Sequence, residues 1–200
     1  MGAFKEPHGG KLIELYLPED KAEAMKTEAK DYPSWDMSPR QICDLDLMMC
    51  GAFSPLEGFL TEADYNGVVE DMRLESGVLW PMPITLDVSE AFAEGVNVGD
   101  TIALRDQEGV ILAVLDVSDK WSPDKQREAE KVFGSTDEAH PAVDYLFNKA
   151  GNVYIGGKVR GLEPPTFYDF KLLRDTPSEL RGRFRKLGWR KVVAFQTRNP

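Results

Sequence analysis

Apolar residues recur at helical spacing over residues 18–30, where Ala22, Met25 and Ala29 share one face behind Pro18 in the first turn. This pattern predicts a helix. The following DYPSWDMSPR, broken by prolines and serines, reads as loop. QICDLDLMMCGAFSPLEGF is strongly apolar; Asp44 and Asp46 alternate with apolar neighbours, but Met48, Met49 and Cys50 break the alternation, so it reads as mixed and buried. Thr61, with Asp64 three residues on, predicts a helix start, and Tyr65, Val69 and Met72 would share its buried face. Strict alternation of Met82, Ile84, Leu86 and Val88 predicts a strand over 82–88, which Pro83 confines to an edge or a strand beginning. Residues 99–117 carry a hairpin pattern, Thr101 to Arg105 and Val110 to Val117 about a turn with Gly109.

Residues 122–134 read as a short helix capped by Ser122, with Pro123 in its first position and Gly134 at its end. A further helical turn or two follows Pro141 over 140–147. Residues 152–163 return to strand, bent or bulged at Gly156 and Gly157. A compact, mostly β, barrel-like domain with helical insertions accounts for this order. The style changes near residue 170. Thr176, Pro177 and Glu179 form a capping box ahead of a stripe of Leu180, Phe184 and Leu187, and Gly188 ends that helix. KVVAF (191–195) is continuously apolar, as a parallel strand covered on both faces would be. Helix, turn, buried strand and polar loop form the opening of an α/β domain. One helix and one strand cannot cover such a strand, so the sequence is expected to be part of a longer chain.

Acidic residues exceed basic ones by 34 to 24, for a formal charge of -10. That balance argues against a nucleic-acid partner, which needs a compensating positive surface, but leaves room for a small anion held by local donors. No run of about eighteen apolar residues suggests a membrane span, and no export signal is evident, so a cytoplasmic protein is expected. Cys43 and Cys50 do not have zinc-site spacing and are expected to be buried free thiols. Asp44, Asp46, Asp64 and Asp87 show no metal-ligand spacing and read as solvated or capping residues. The Gly-rich PHGG and YIGGKVRG lack the P-loop pattern. The four tryptophans, Trp35, Trp80, Trp121 and Trp189, are expected in cores or interfaces.

Candidate chemistry gathers after the last apolar run. Gln196, Arg198 and Asn199 offer amide and guanidinium donors suited to a tetrahedral oxyanion. On spacing alone, a solvated loop fits as well. GWRKVVAFQTRNP (188–200) closely resembles the signature of the ATP sulfurylase family. PHGG (7–10), GAFSPLEGFLTEADY (51–65), WPMPITLDV (80–88), the Gly-Asp at 99–100, VFGSTDEAHPAV (132–143), YIGG (154–157) and TPSELRGRF (176–184) also match, in the family's order.

The resemblance implies a mixed α+β chain. A PUA-like β-barrel domain would occupy 1–168, and 169–200 would begin an α/β nucleotidyltransferase domain with its first helix and strand. It implies a sulfate adenylyltransferase, which transfers the AMP moiety of ATP to sulfate and releases pyrophosphate. Gln196 and Arg198 would bind sulfate, Gln196, Thr197 and Asn199 would line the nucleotide site, and Arg198 and Asn199 would be catalytic. Thr197 would mainly shape the loop. ATP would be a substrate, with magnesium bound through it and no prosthetic group. Homo-oligomers are common in the family. The family continues with a His-x-x-His segment, so these 200 residues by themselves are expected to be inactive. His8 and His140 are expected to brace or cap rather than bind ligand. A non-catalytic PUA-like binding or assembly domain is the other reading of the chain.

Overall fold

The computed structural model describes residues 5–195. At its centre is a hairpin of β4 (Thr101–Arg105) and β5 (Ile111–Trp121). Asp106 shapes the turn, where its Oδ1 accepts from the Glu108 and Val110 amides and Gly109 adopts a positive φ of 88°. Ile102 and Leu104 enter the main core, whereas Ala103, between them, faces a second core with Ala22 and Ala29. Strand alternation therefore feeds two covered faces, so the segment is apolar throughout.

Long β6 (Val153–Gly161) pairs antiparallel with β5, and it also carries β2 (Gly58–Phe59) and β3 (Leu86–Val88). Short β1 (Ser34–Asp36) lies parallel on β4. The resulting mixed sheet runs β1-β4-β5-β6-β2, with β3 also on β6. It is open among the described residues, which corrects the expected barrel. Closure would require its ends to pair, and those ends are strands of three and two residues on opposite sides.

Helix α1 (Glu19–Glu28) covers one face and continues as a 3₁₀ turn, Ala29–Asp31. Helices α2 (Pro39–Met49) and α3 (Glu62–Asp71) pack on the main core through Leu45, Met48, Met49, Tyr65, Val68 and Val69. The stretch read as loop and then mixed is thus a short strand and a helix. Ser38 and Gln41 close a capping box with Pro39 in the first turn. Thr61 caps α3 as expected, but Met72 lies beyond its end in a left-handed conformation and is 53% exposed.

The strand expected over 82–88 is confined to β3. Pro81 and Pro83 offer no amide to a ladder, and Met82 is exposed. After a short helix α4 (Glu90–Glu94), α5 (Lys125–Glu128) is capped by Asp124 rather than Ser122. It runs into a π-helical turn, Ala129–Phe133, that ends at Gly134. Helix α6 (Pro141–Asn148) follows with His140 as its cap. The irregularity anticipated at Gly156 and Gly157 falls on the partner strand, between Val117 and Asp119. The glycines are needed for close approach. A Cβ on Gly157 would collide with the Asp116 carbonyl, and one on Gly156 with the Leu60 carbonyl.

Candidate functional site

Helix α7 (Pro177–Lys186) leads towards the sequence-derived site. The Thr176 hydroxyl accepts from the Glu179 amide at 3.3 Å, and Glu179 Oε2 accepts from the Thr176 amide at 2.8 Å. Gly188 (φ 68°) ends the helix, as the sequence predicts. Trp189 then stacks on Phe184, with ring centroids 5.6 Å apart. The strand expected at 191–195 is not formed. A parallel strand requires bonded neighbours, and none of β1–β6 pairs with this segment. Val193 is 94% exposed and Phe195 91%. Gln196, Thr197, Arg198 and Asn199 lie outside the described residues.

A cavity of about 640 Å³ separates the sheet-bearing body from residues 164–181, with Asp46, Arg174 and Arg181 on its walls. Arg181 donates to the Lys5 carbonyl at 2.6 Å, tying α7 to the start of the described chain. His8 braces this side through a 2.7 Å contact between its Nε2 and the Leu79 carbonyl, and it packs beside Trp80.

The structure assembles a second group of residues that sequence reasoning missed. Arg40 in α2 pairs with Asp44 one turn on, at 2.6 Å, and with Asp87 in β3. Its guanidinium also donates to the Thr85 carbonyl at 3.2 Å and to the Tyr145 hydroxyl at 3.3 Å. Buried Asp87 accepts further bonds from Gln41 Nε2 at 2.9 Å and the Gly151 amide at 2.8 Å. Burial pushes the Asp44 carboxyl up, against the opposing pull of Arg40. Asp44 and Asp87 are therefore ion-pair partners rather than solvated residues. Asp64 accepts from the amide of Glu75, in the turn beyond α3, at 2.8 Å, and caps no helix with that bond. The available signal was an acidic residue inside an apolar strand, which needs a buried partner.

Next to this network, Glu128 Oε2 accepts from the hydroxyls of Tyr65 at 2.8 Å and Tyr154 at 3.1 Å. Burial pushes its carboxyl above the usual range, opposed by the tyrosine bonds and by Arg40 and Lys125. The groups facing it are Tyr65 from α3, Tyr154 from β6, Arg40 and Asp44 from α2, Asp87 from β3 and Lys125 from its own helix. A raised folded value means that the native state holds the proton more tightly than the unfolded chain. The associated stability is present at low pH and is lost as the pH rises through the folded value. Lowering the pH from about 7.5 to about 5 should therefore shift the difference in unfolding free energy between the native protein and Glu128→Gln towards the native protein. A difference that does not change with pH, in urea titrations, would contradict this.

Cys43 is exposed and Cys50 half-buried, both unpaired, so the thiols are free but not buried as expected. Trp80 and Trp121 are core residues, whereas Trp189 is 51% exposed. Among the described residues no group of three His, Cys, Asp or Glu could hold a metal ion, and no helix is long and apolar enough to cross a membrane.

Comparison with known proteins gives this architecture a family. The PUA-like domain model matches residues 5–164, and the chain belongs to that family. The ATP-sulfurylase model matches residues 171–200, which bears out the resemblance drawn from the motifs. The sulfate adenylyltransferase of Gibberella zeae is 52% identical over 198 residues, covering 97% of this chain and 34% of its own length. That of Schizosaccharomyces pombe is 50% identical over 89% of this chain and 37% of its own length. That of Saccharomyces cerevisiae is 48% identical over 97% and 38%. A solved structure described as a hexameric APS kinase from Thiobacillus denitrificans superposes with a TM-score of 0.77 at 37% identity, covering 98% of this chain and 34% of that one. The chain thus spans little more than a third of the length of the curated relatives it matches.

Proposed function

We propose that this chain supplies the PUA-like domain and the opening of the catalytic domain of a sulfate adenylyltransferase, with the boundary near residue 168. The observation that carries the reading is identity near 50% to sulfate adenylyltransferases across 97% of the chain, together with the ATP-sulfurylase match through Pro200. Sulfate is already an anion and needs no base to activate it. The barrier comes from bringing it against the α-phosphate of ATP and from the charge that builds in the transition state. Fixed donors lower that cost and set the line of attack. Arg198 and Gln196 would hold sulfate, Asn199 and Thr197 would line the nucleotide phosphates, and Arg198 and Asn199 would act on the reacting groups. Magnesium enters with ATP as part of the substrate and neutralises the departing pyrophosphate.

A homo-oligomeric enzyme is part of this proposal, supported by the hexameric neighbour. A cytoplasmic setting is as well, because ATP is a substrate. The test is sulfate-dependent release of pyrophosphate from MgATP. A protein carrying this chain joined to the remaining two-thirds found in its relatives should turn over, whereas the 200 residues by themselves should not. No sulfate dependence in the longer protein would overturn the function. Robust turnover by the 200 residues would overturn the division of labour.

A further inference from the structure

A second cavity, about 330 Å³ in volume, opens between α2, the approach to β3, the π-helical turn and α6. One wall is apolar, with Met82, Pro83, Ile84, Phe133 and Leu146. The other carries Arg40, Asp44, Asp87 and Glu128, so three carboxylates face one guanidinium. That guanidinium is already engaged by both aspartates, by the Thr85 carbonyl and by the Tyr145 hydroxyl. It has little left to offer an anion. Asp87 uses both of its oxygens, one towards Gln41 and Arg40 and the other towards the Gly151 amide.

Glu128 differs. It is 6% exposed, and both tyrosine bonds fall on Oε2. Oε1 has no hydrogen-bond partner among the described residues, although Glu128 lines the cavity. Lys125, on the same helix, directs two of its three ammonium hydrogens elsewhere, to the Ala150 carbonyl at 2.8 Å and to Asn152 Oδ1 at 3.0 Å. A carboxylate oxygen that opens on a mostly apolar cavity and has no protein donor is matched best by a charged donor.

We infer that this cavity binds a small organic ammonium ion, its N–H groups donating to Glu128 Oε1 and its hydrocarbon body resting on the wall of Met82, Ile84, Phe133 and Leu146. The volume corresponds to roughly ten non-hydrogen atoms at ~30 Å³ each. A pocket that is mostly apolar with a few converging polar groups is the usual form of a small-molecule site. A bare metal ion fits poorly, since the apolar wall offers it no oxygen and no metal-binding group of three is present among the described residues. The site uses none of the residues proposed for the sulfate and ATP chemistry, so either proposal can fail without the other.

The test uses three ligands of similar shape, 2-phenylethylammonium, 2-phenylethanol and 3-phenylpropionate, titrated calorimetrically into the full 200-residue chain. The ammonium should bind at least about tenfold more tightly than the alcohol, as expected of a charge-assisted hydrogen bond. The propionate should not bind. Glu128→Gln should bring the ammonium down to the level of the alcohol. Ala142→Leu, which narrows the cavity without touching the polar network, should weaken both. Equal affinity for the ammonium and the alcohol, or preference for the anion, would overturn the inference even if the Glu128 variant failed to fold. So would the absence of saturable binding at about 10 mM ammonium, beyond the millimolar range of weak complexes.

Discussion

Replacing Arg198 with alanine in the complete enzyme should lower kcat for sulfate adenylylation by about 10²–10³-fold, the usual effect of deleting one donor aimed at developing charge. The thermal unfolding midpoint should stay where it is. In the mechanism proposed above, the guanidinium does two things: it offsets repulsion between sulfate and the nucleotide, and it holds the attacking oxygen in line. Neither is needed for folding. Arg198→Lys keeps the charge but loses the planar fork, so it should recover part of the rate and leave a raised KM for sulfate. Full sulfate-dependent turnover in the alanine variant would remove Arg198 from the mechanism. A variant that was slow because it unfolded early would assign it a structural role.

How much of this was legible in the sequence depended on whether the determining contacts are local. The β4–β5 hairpin and α7 were readable because their signals lie within a few residues, in the Asp106–Gly109 turn and the Thr176–Glu179 capping box. Helix α2 was equally local, through Ser38 and Gln41. It was missed because Asp44 and Asp46 alternate with apolar neighbours as in a strand, although Leu45, Met48 and Met49 hold helical spacing on the buried side. The alternation at 82–88 pointed to a longer strand than β3, since prolines silence the ladder where the pattern still looks regular. At Asp87 the sequence carried only the hint of a carboxylate inside an apolar strand and nothing of its partners. Its burial depends on Arg40, 47 residues away in sequence, and on the Gly151 amide, 64 residues away. Residues 196–199 became meaningful through family resemblance, because a run of Gln, Thr, Arg and Asn by itself fits a solvated loop equally well.

The buried network carries the second large effect. Asp87→Ala should destabilise the PUA-like domain by about 3–5 kcal/mol, as expected when one partner of a buried ion pair is removed. Three donors lose a carboxylate acceptor at once: the Gly151 amide is left without one, the Arg40 guanidinium keeps Asp44, and Gln41 Nε2 keeps only the main-chain carbonyl of residue 87. These groups join α2, β3 and the loop ahead of β6, so the loss loosens three segments rather than one surface contact. For a domain of this size the melting temperature should fall by roughly 6–20 °C. Asp87→Asn keeps an oxygen for the amide donors while losing the charge, and it should cost less. Urea unfolding that placed Asp87→Ala within about 1 kcal/mol of the native protein would show the pair to be no stronger than a surface salt bridge.

The central claim concerns anion binding by the residues that follow the last apolar segment. Its most direct test is a calorimetric titration of sulfate into the complete enzyme saturated with a nonhydrolysable ATP analogue, with and without the Arg198→Ala change. The unaltered protein should give a saturable heat at one site per chain, and the variant should give none over the same range. Undiminished sulfate affinity in the variant would contradict the account.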